Sequence, residues 1–355
     1  MKDLKVLHII NNLSSGGAEN ALINYLNHDN NNTNYLFRLS AVEKNSIQLN
    51  TEKITDLNNY KKKDLFSLLK LLKHAMNIKP DIVHAHLFPS FYYAALISFF
   101  INAKFITTEH SLNNNRRKRY MRGIEKVIYS RFSLIISVSL EVKKNLDDWV
   151  LVGSNKKHVV QPNGIDLNYI RGALKHDLRL ELAFHESDVI IVSSSRLTKE
   201  KNLMVAIKAF KYLPKQFKLI LIGEGPEENL LKDAVVNLNL ENQVILLGYR
   251  SDVINLVKSA DIFLLPSINE GFGISVLEAI AAHRRIVLSN IPTFVSIYST
   301  ISPTYFNVHS SIDLAEKLIA SMGSEVNNSI YDNFILDYNM ETTVNKLNTI
   351  YQNLF

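Results

Sequence analysis

The chain has no cysteine among its 355 residues, which excludes disulfides, thiolate zinc sites and a cysteine nucleophile. It also lacks a long apolar run. The longest, Phe91 to Ile101, falls well short of the ~18 residues that would signal a membrane span, so integral insertion is not expected. The first apolar run, Val6 to Ile10, is too brief for a signal-peptide core and lacks a small-residue cleavage site. It reads as a first strand, and a cytoplasmic location is expected. No Asp-x-Asp pair is present to hold a divalent cation.

What is present is ordinary for a folded enzyme. The composition is 46% hydrophobic and 21% charged, which excludes a largely disordered chain and a fibrous one. The length exceeds the roughly 250 to 300 residues at which a single core stops growing, so two domains are expected. Net charge is +6 and pI about 9.1, a balance that attracts nucleic acid, an anionic membrane face or phosphorylated ligands alike. The bases gather at Lys61 to Lys63 and Arg116 to Arg122 without interleaved aromatics for base stacking, so no nucleic-acid partner is expected.

Short β-branched apolar runs alternate with helix-length segments, the pattern of βα units and parallel sheets, and the series occurs twice. In the first half the strands fall at Val6–Ile10, Tyr35–Leu39, Ile82–Ala85, Lys104–Thr108 and Leu134–Val138. In the second they fall at Val189–Ser194, Phe217–Ile222, Val244–Leu247, Ile262–Leu265 and Ile286–Ser289. Between the series, Gln161-Pro162-Asn163-Gly164-Ile165-Asp166 punctuates the chain as a hinge. The Asn-rich stretch Asn27 to Asn34 reads as a surface loop without chemistry. Leu65, Leu68, Leu69, Leu72 and Met76 line one face of an expected core helix.

Open α/β sheets bind ligands beyond the carboxyl ends of their strands, and the unusual residues sit at those positions. Glu270-Gly271-Phe272-Gly273 follows one strand and opens an expected helix, Ile274 to His283, that carries Glu278. The glycines let backbone N–H groups approach a ligand, and the helix start favours a phosphate. Glu278 offers two acceptor oxygens to a vicinal diol such as a ribose. Arg196 and Lys201 follow another strand, where fixed cations can meet the charge of a departing nucleotide diphosphate.

Gly223-Glu224-Gly225-Pro226 is either a phosphate loop or a plain turn, and Pro226 onward does not complete the dinucleotide fingerprint Gly-x-Gly-x-x-Gly. In the first half, Gly16 and Gly17 join the first strand to the first helix and allow approach to an anion. His110 closes Thr107-Thr108-Glu109-His110 just after a strand, a ligand-facing position, while His86 ends another strand and is either a structural histidine or an acceptor-side group. His84, His86 and His110 imitate a metal cluster, but spacing does not bring them together and no metal is expected. Arg116 and Arg117 form either a solvated basic loop or an acceptor-side patch drawn to anionic lipid.

Taken in order, Gly16-Gly17-Ala18-Glu19, Asp81 to His86, Thr108-Glu109-His110, Ser137-Val138-Ser139, Asn163 to Asp166, Arg196 with Lys199 to Asn202, Gly223 to Pro226, Ala260-Asp261 and Glu270 to Glu278 resemble family 4 of the retaining glycosyltransferases. The resemblance is nearly end to end. It implies an α/β, GT-B fold: two facing Rossmann-like, doubly wound parallel-sheet domains with a C-terminal helix crossing back. The expected acceptor-side domain is 1–163 plus 340–355, and the nucleotide-sugar domain 164–339. It further implies that Glu270 contacts the donor hexose, Glu278 the ribose, and Arg196 with Lys201 the diphosphate. Gly271, Phe272 and Gly273 belong to the donor loop, Gly16 and Gly17 approach the phosphates, and His110 touches the donor sugar.

The implied activity is transfer of a hexose-type sugar, with retained configuration and no metal, from a UDP- or GDP-linked donor. The acceptor would be a glycan or a lipid-linked molecule in cell-surface polysaccharide synthesis (capsule, O-antigen or exopolysaccharide), with the protein peripheral on the membrane's inner face. One departure stands out. Where the family continues with a Gly-x-Pro turn this chain has His283-Arg284-Arg285, so a different helix exit is expected. Two rival readings are a nucleotide-sugar epimerase of the same fold and a non-catalytic nucleotide-binding partner in a glycan assembly complex.

Overall fold

The computed structural model describes residues 3–13, 16–40, 54–57, 65–112, 117–150 and 157–355. The chain divides into two compact units, Met1–Ile165 with Tyr338–Phe355, and Asp166–Asp337.

The first unit carries a parallel sheet whose described strands are β1 (Lys5–Ile10), β2 (Thr33–Arg38), β3 (Ile54–Asp56), β4 (Ile82–His86), β5 (Lys104–Glu109), β6 (Leu134–Ser137) and β7 (His158–Val160). Their order is β3-β2-β1-β4-β5-β6-β7. Strands covered on both faces read as continuous apolar runs, and Val6 to Ile10 is buried throughout. On one face Leu7, Ile9, Val83 and Phe105 pack with Leu71, Phe91 and Tyr129 from three helices. On the other, Val6 and Ile10 pack with Leu22 and Leu26 of the Gly17–His28 helix and with the last helix, Met340–Gln352. That last helix turns Met340, Thr343, Val344, Leu347, Asn348 and Tyr351 inward, at intervals of three and four that put them on one face.

The second unit repeats the plan with β8 (Val189–Ser194), β9 (Phe217–Ile222), β10 (Val244–Gly248), β11 (Ile262–Leu265), β12 (Arg285–Ser289) and β13 (Thr304–Phe306), all parallel. The order β10-β9-β8-β11-β12-β13 places a switch point between β8 and β11. In the first unit the corresponding switch point lies between β1 and β4. At both, successive crossovers leave in opposite directions and open a crevice at the carboxyl edge.

The crossings between units fall two residues from the expected 163 and 340. The outgoing and returning chain pair with each other: Ile165 N–H donates to Tyr338 O at 2.9 Å and Met340 N–H to Ile165 O at 2.9 Å. A side chain on Gly164 would collide with Thr343 and with Met340, so glycine is required there by close packing.

Three further expectations are corrected. β3, β7 and β13, of three residues each, were too short for periodicity to reveal. The helix Leu65–Ile78 packs Leu68 and Leu72 against the core as expected, but buries Ser67, Leu71 and Ala75 and leaves Leu69 and Met76 exposed, because its leucines stand on more than one face and do not mark which one turns inward. The Asn-rich stretch is no idle loop: Asp29 and Asn34 are 3% and 2% exposed.

Candidate active site

In the second unit the loops after β8 and β11 lie on either side of the switch point, joined where Ile268 N–H donates to Glu200 O at 2.8 Å. Lys201 closes a single turn, Lys199–Lys201, that Asn202 terminates in the left-handed conformation with its side-chain amide on Val308 O. The Lys201 ammonium reaches Glu270 Oε2 at 2.5 Å, and Ser267 Oγ donates to the same oxygen at 3.2 Å. Two of the four charged residues expected at the donor are thus brought into direct contact from the loops of adjacent strands. Arg196 stands exposed in the same β8 loop.

Gly273 adopts φ 87, which favours glycine, and caps the helix Ile274–Ala281. Phe272 is buried, and Tyr298 OH donates to the carbonyls of Phe272 and Gly273, so the Gly271–Gly273 turn is held from beneath. Glu278 sits in the second turn of that helix, and burial pushes its carboxyl up to about 7. A carboxyl raised by desolvation at a sheet's switch point marks a candidate binding group.

Gly223 and Gly225 are required by close packing. A side chain at Gly223 would strike Ser195 O and one at Gly225 would strike Leu197 O. Leu197 N–H donates to Glu224 O at 2.9 Å and Glu227 N–H to Leu197 O at 3.0 Å, so this turn buttresses the Arg196 loop. Asp261 is likewise structural, accepting from Ile190 N–H and Arg179.

The expected departure at His283 changes less than anticipated. The helix ends at Ala281, two residues early, and its exit is a regular Schellman cap: Arg284 N–H donates to Ala279 O and His283 N–H to Ile280 O. His283 takes the left-handed position usually held by glycine, at φ 56, and its ring pairs with Asp332 at 3.2 Å. Arg284 donates to the carbonyls of Lys258, Ala260 and Ala282.

In the first unit, Gly16 caps the Gly17–His28 helix directly after the β1 loop. His8, His84 and His86 cluster at the switch point between β1 and β4, with His8 and His84 paired in register. Sequence reading missed His8. Its signal was a polar residue inside a run buried on both faces. Burial holds His8 and His110 down at about 4 and His84 and His86 well below the usual histidine range, so all four are neutral at pH 7.

The trio's ligand nitrogens lie within 4.8 Å, a spacing that a cation could use. Hydrogen bonds occupy all of the trio's ring nitrogens but His86 Nδ1: His84 meets Tyr351 OH at 2.6 Å and Thr108 Oγ1 at 2.7 Å, while His8 meets Asn34 Oδ1 and His86 Nε2. His110 lies 6.2 Å from His86, ring to ring, with neither nitrogen partnered among the described residues.

Arg117 corrects the reading of an acceptor-side patch. Its side chain is 9% exposed and turned inward onto Leu112 O, Asn145 Oδ1 and Glu109, because the buried Glu109 carboxyl draws a counter-charge. Arg116 lies outside the described residues.

The chain's residues 175–328 match the family described as glycosyl transferases group 1, and residues 43–169 match glycosyltransferase family 4. The chain belongs to glycosyltransferase family 4. Among relatives of this family 4 chain, the Escherichia coli UDP-Gal:alpha-D-GlcNAc-diphosphoundecaprenol alpha-1,3-galactosyltransferase is 27% identical over 64% of the chain. The match spans 62% of that enzyme, a little under two thirds of its length. The N-acetyl-alpha-D-glucosaminyl L-malate synthase of Bacillus anthracis is 28% identical over 81% of this chain and 78% of its own. Among solved structures, Anabaena HepE in complex with UDP-glucose superposes with a TM-score of 0.87 at 19% identity, over 99% of this chain and 100% of that one. The fold of this family 4 chain is GT-B: two α/β units, each built on a parallel sheet.

Proposed function

We propose that this family 4 chain moves a hexose-type sugar from a UDP-linked donor to a hydroxyl of a glycan or lipid-linked acceptor, in cell-surface polysaccharide assembly. The observation that carries the reading is the Lys201–Glu270 pair at the second unit's switch point, beside the Gly271–Gly273 turn and the helix bearing Glu278. Without donor each charge satisfies the other. With donor, sugar hydroxyls donate to Glu270 and the diphosphate draws Lys201 and Arg196. UDP is favoured over GDP because the E. coli relative's name gives UDP-Gal and HepE holds UDP-glucose.

In the proposed step, the acceptor oxygen bonds to the anomeric carbon as that carbon's bond to the diphosphate breaks on the same face. The acceptor's proton passes to the leaving diphosphate, and the products are a retained glycoside and UDP. The cations meet the leaving charge, so turnover is expected to persist in chelator. The acceptor class stays broad because the relatives' names differ, one lipid-linked and the other L-malate.

Peripheral membrane contact belongs to the same proposal. Tyr120, Ile124 and Val127 are exposed on and before the Arg122–Ser130 helix, and the surrounding Arg119, Arg122 and Lys126 are exposed bases. Leu96, Phe99 and Phe100, at and just after the Ser90–Ile97 helix, add exposed apolar area. Apolar side chains among bases are the composition that settles on anionic lipid.

The test is to incubate the protein with UDP- and GDP-sugars, with and without lipid-linked acceptors, and to follow nucleotide diphosphate release. Acceptor-dependent release of UDP supports the reading. A changed sugar without release would indicate an epimerase, and binding without chemistry a non-catalytic partner.

A further inference from the structure

His86 ends β4 at the first unit's switch point, 5% exposed, and its Nδ1 has no hydrogen-bond partner among the described residues. An unpartnered buried nitrogen costs free energy unless a ligand meets it. Which proton it carries can be worked out from its neighbours.

Asp29 is the fixed end of the chain of contacts. It accepts from Asn31 N–H, Tyr25 OH and the side-chain amides of Asn32, Asn34 and Asn348 at 2.9 to 3.2 Å. A carboxylate only accepts, so Asn34 must turn its NH₂ toward Asp29 and its carbonyl toward His8. The Asn34 carbonyl, 3.2 Å from His8 Nε2, also only accepts, so His8 carries its proton on Nε2. A neutral His8 then has a bare Nδ1, and His86 Nε2, 3.1 Å away, must be the donor. His86 is left with its proton on Nε2 and a bare lone pair on the unpartnered Nδ1.

We propose that the contacts Asp29–Asn34–His8 fix the tautomer of His86, so that its Nδ1 lone pair accepts a hydrogen bond from a hydroxyl of the acceptor substrate. Asn34 and His8 are positioning residues, acting through His86. The hydroxyl class follows from the chemistry: a bare imidazole nitrogen needs a donor, and sugars and polyols offer it uncharged. The assignment of that hydroxyl to the acceptor rests on the transferase reading; the tautomer does not.

The experiment is nitrogen-15 correlation NMR of the histidine rings in the full chain, which reports each protonated nitrogen, followed by titration with D-glucose as a hydroxyl probe and with Zn²⁺. Expected is one tautomer each for His8 and His86, both protonated on Nε2. Glucose should move the His86 Nδ1 signal in the direction of a nitrogen accepting a hydrogen bond, and Zn²⁺ should leave both rings unchanged. Asn34→Leu and His8→Phe should each mix the His86 tautomers and lower acceptor-dependent turnover roughly tenfold, with the KM for nucleotide sugar unchanged.

A His86 proton on Nδ1, or stoichiometric Zn²⁺ on these rings, overturns the proposal, as does a His86 signal indifferent to glucose. The wild-type spectrum decides even if a variant fails to fold. If the tautomers are as stated but no nucleotide sugar is turned over, the transferase reading fails and the fixed lone pair stands.

Discussion

At the scale of single residues, the neutral groups are as informative as the charged ones. Burial places Glu278 at about 7, so below that pH its carboxyl is protonated and loses an acceptor position that a ribose diol would use. UDP affinity is therefore expected to rise as pH rises through about 7, and Glu278→Gln is expected to flatten that dependence, measured by calorimetric titration. The His8 shift is downward and bears on stability. Its folded value of about 4 lies below the ordinary 6.5, so between those pH values the unfolded chain binds a proton that the folded chain does not. Stability is thus expected to fall as pH drops from 6.5 toward 4, by up to a few kcal/mol for this one residue. Denaturant melts of wild type and His8→Phe across that window check it: the wild type should lose more.

At the scale of elements, the turns carry the site. Gly273 and Asn202 each take a left-handed conformation to launch a helix, and both sit in the loops that meet at the switch point. His283 occupies such a conformation without being glycine, at a cost of about 1 kcal/mol, partly offset by its contact with Asp332. His283→Gly is expected to leave stability within about 1 kcal/mol of wild type and UDP-sugar turnover unchanged, read by thermal melts and UDP release. The long strands were legible because both their faces are buried, which makes them largely apolar runs such as Ile262 to Leu265. β3, β7 and β13 were not, since three residues carry no period.

Of the candidate site, the Lys201–Glu270 contact was legible because strand-end residues of adjacent strands must converge, as Ile268 and Glu200 show through their backbone bond. The inward turn of Arg117 was not, because a basic run reads alike whether solvated or paired. Nor was the Asp29–Asn34–His8 wiring. It depends on contacts between β1, β2 and the Met340–Gln352 helix, more than 300 residues apart in the case of Asp29 and Asn348.

At the scale of the whole molecule, net charge of +6 and an apolar surface ringed by bases set an expectation for association. Sedimentation with anionic vesicles is expected at low salt and to weaken strongly between about 50 and 200 mM salt, as screening shortens the range of the field. Ile124→Asp with Val127→Asp should abolish it without altering UDP affinity. No described helix is long and apolar enough to cross a membrane.

The central claim is that Arg196, Lys201, Glu270 and Glu278 act on one sugar-diphosphate molecule. Calorimetric titration of UDP-glucose into wild type, Lys201→Ala and Glu278→Gln in the presence of chelator tests it most directly. The account predicts a single site in wild type and affinity lowered roughly tenfold or more in each variant, as expected for lost hydrogen bonds to charged groups. Wild-type affinity retained by both variants would contradict it.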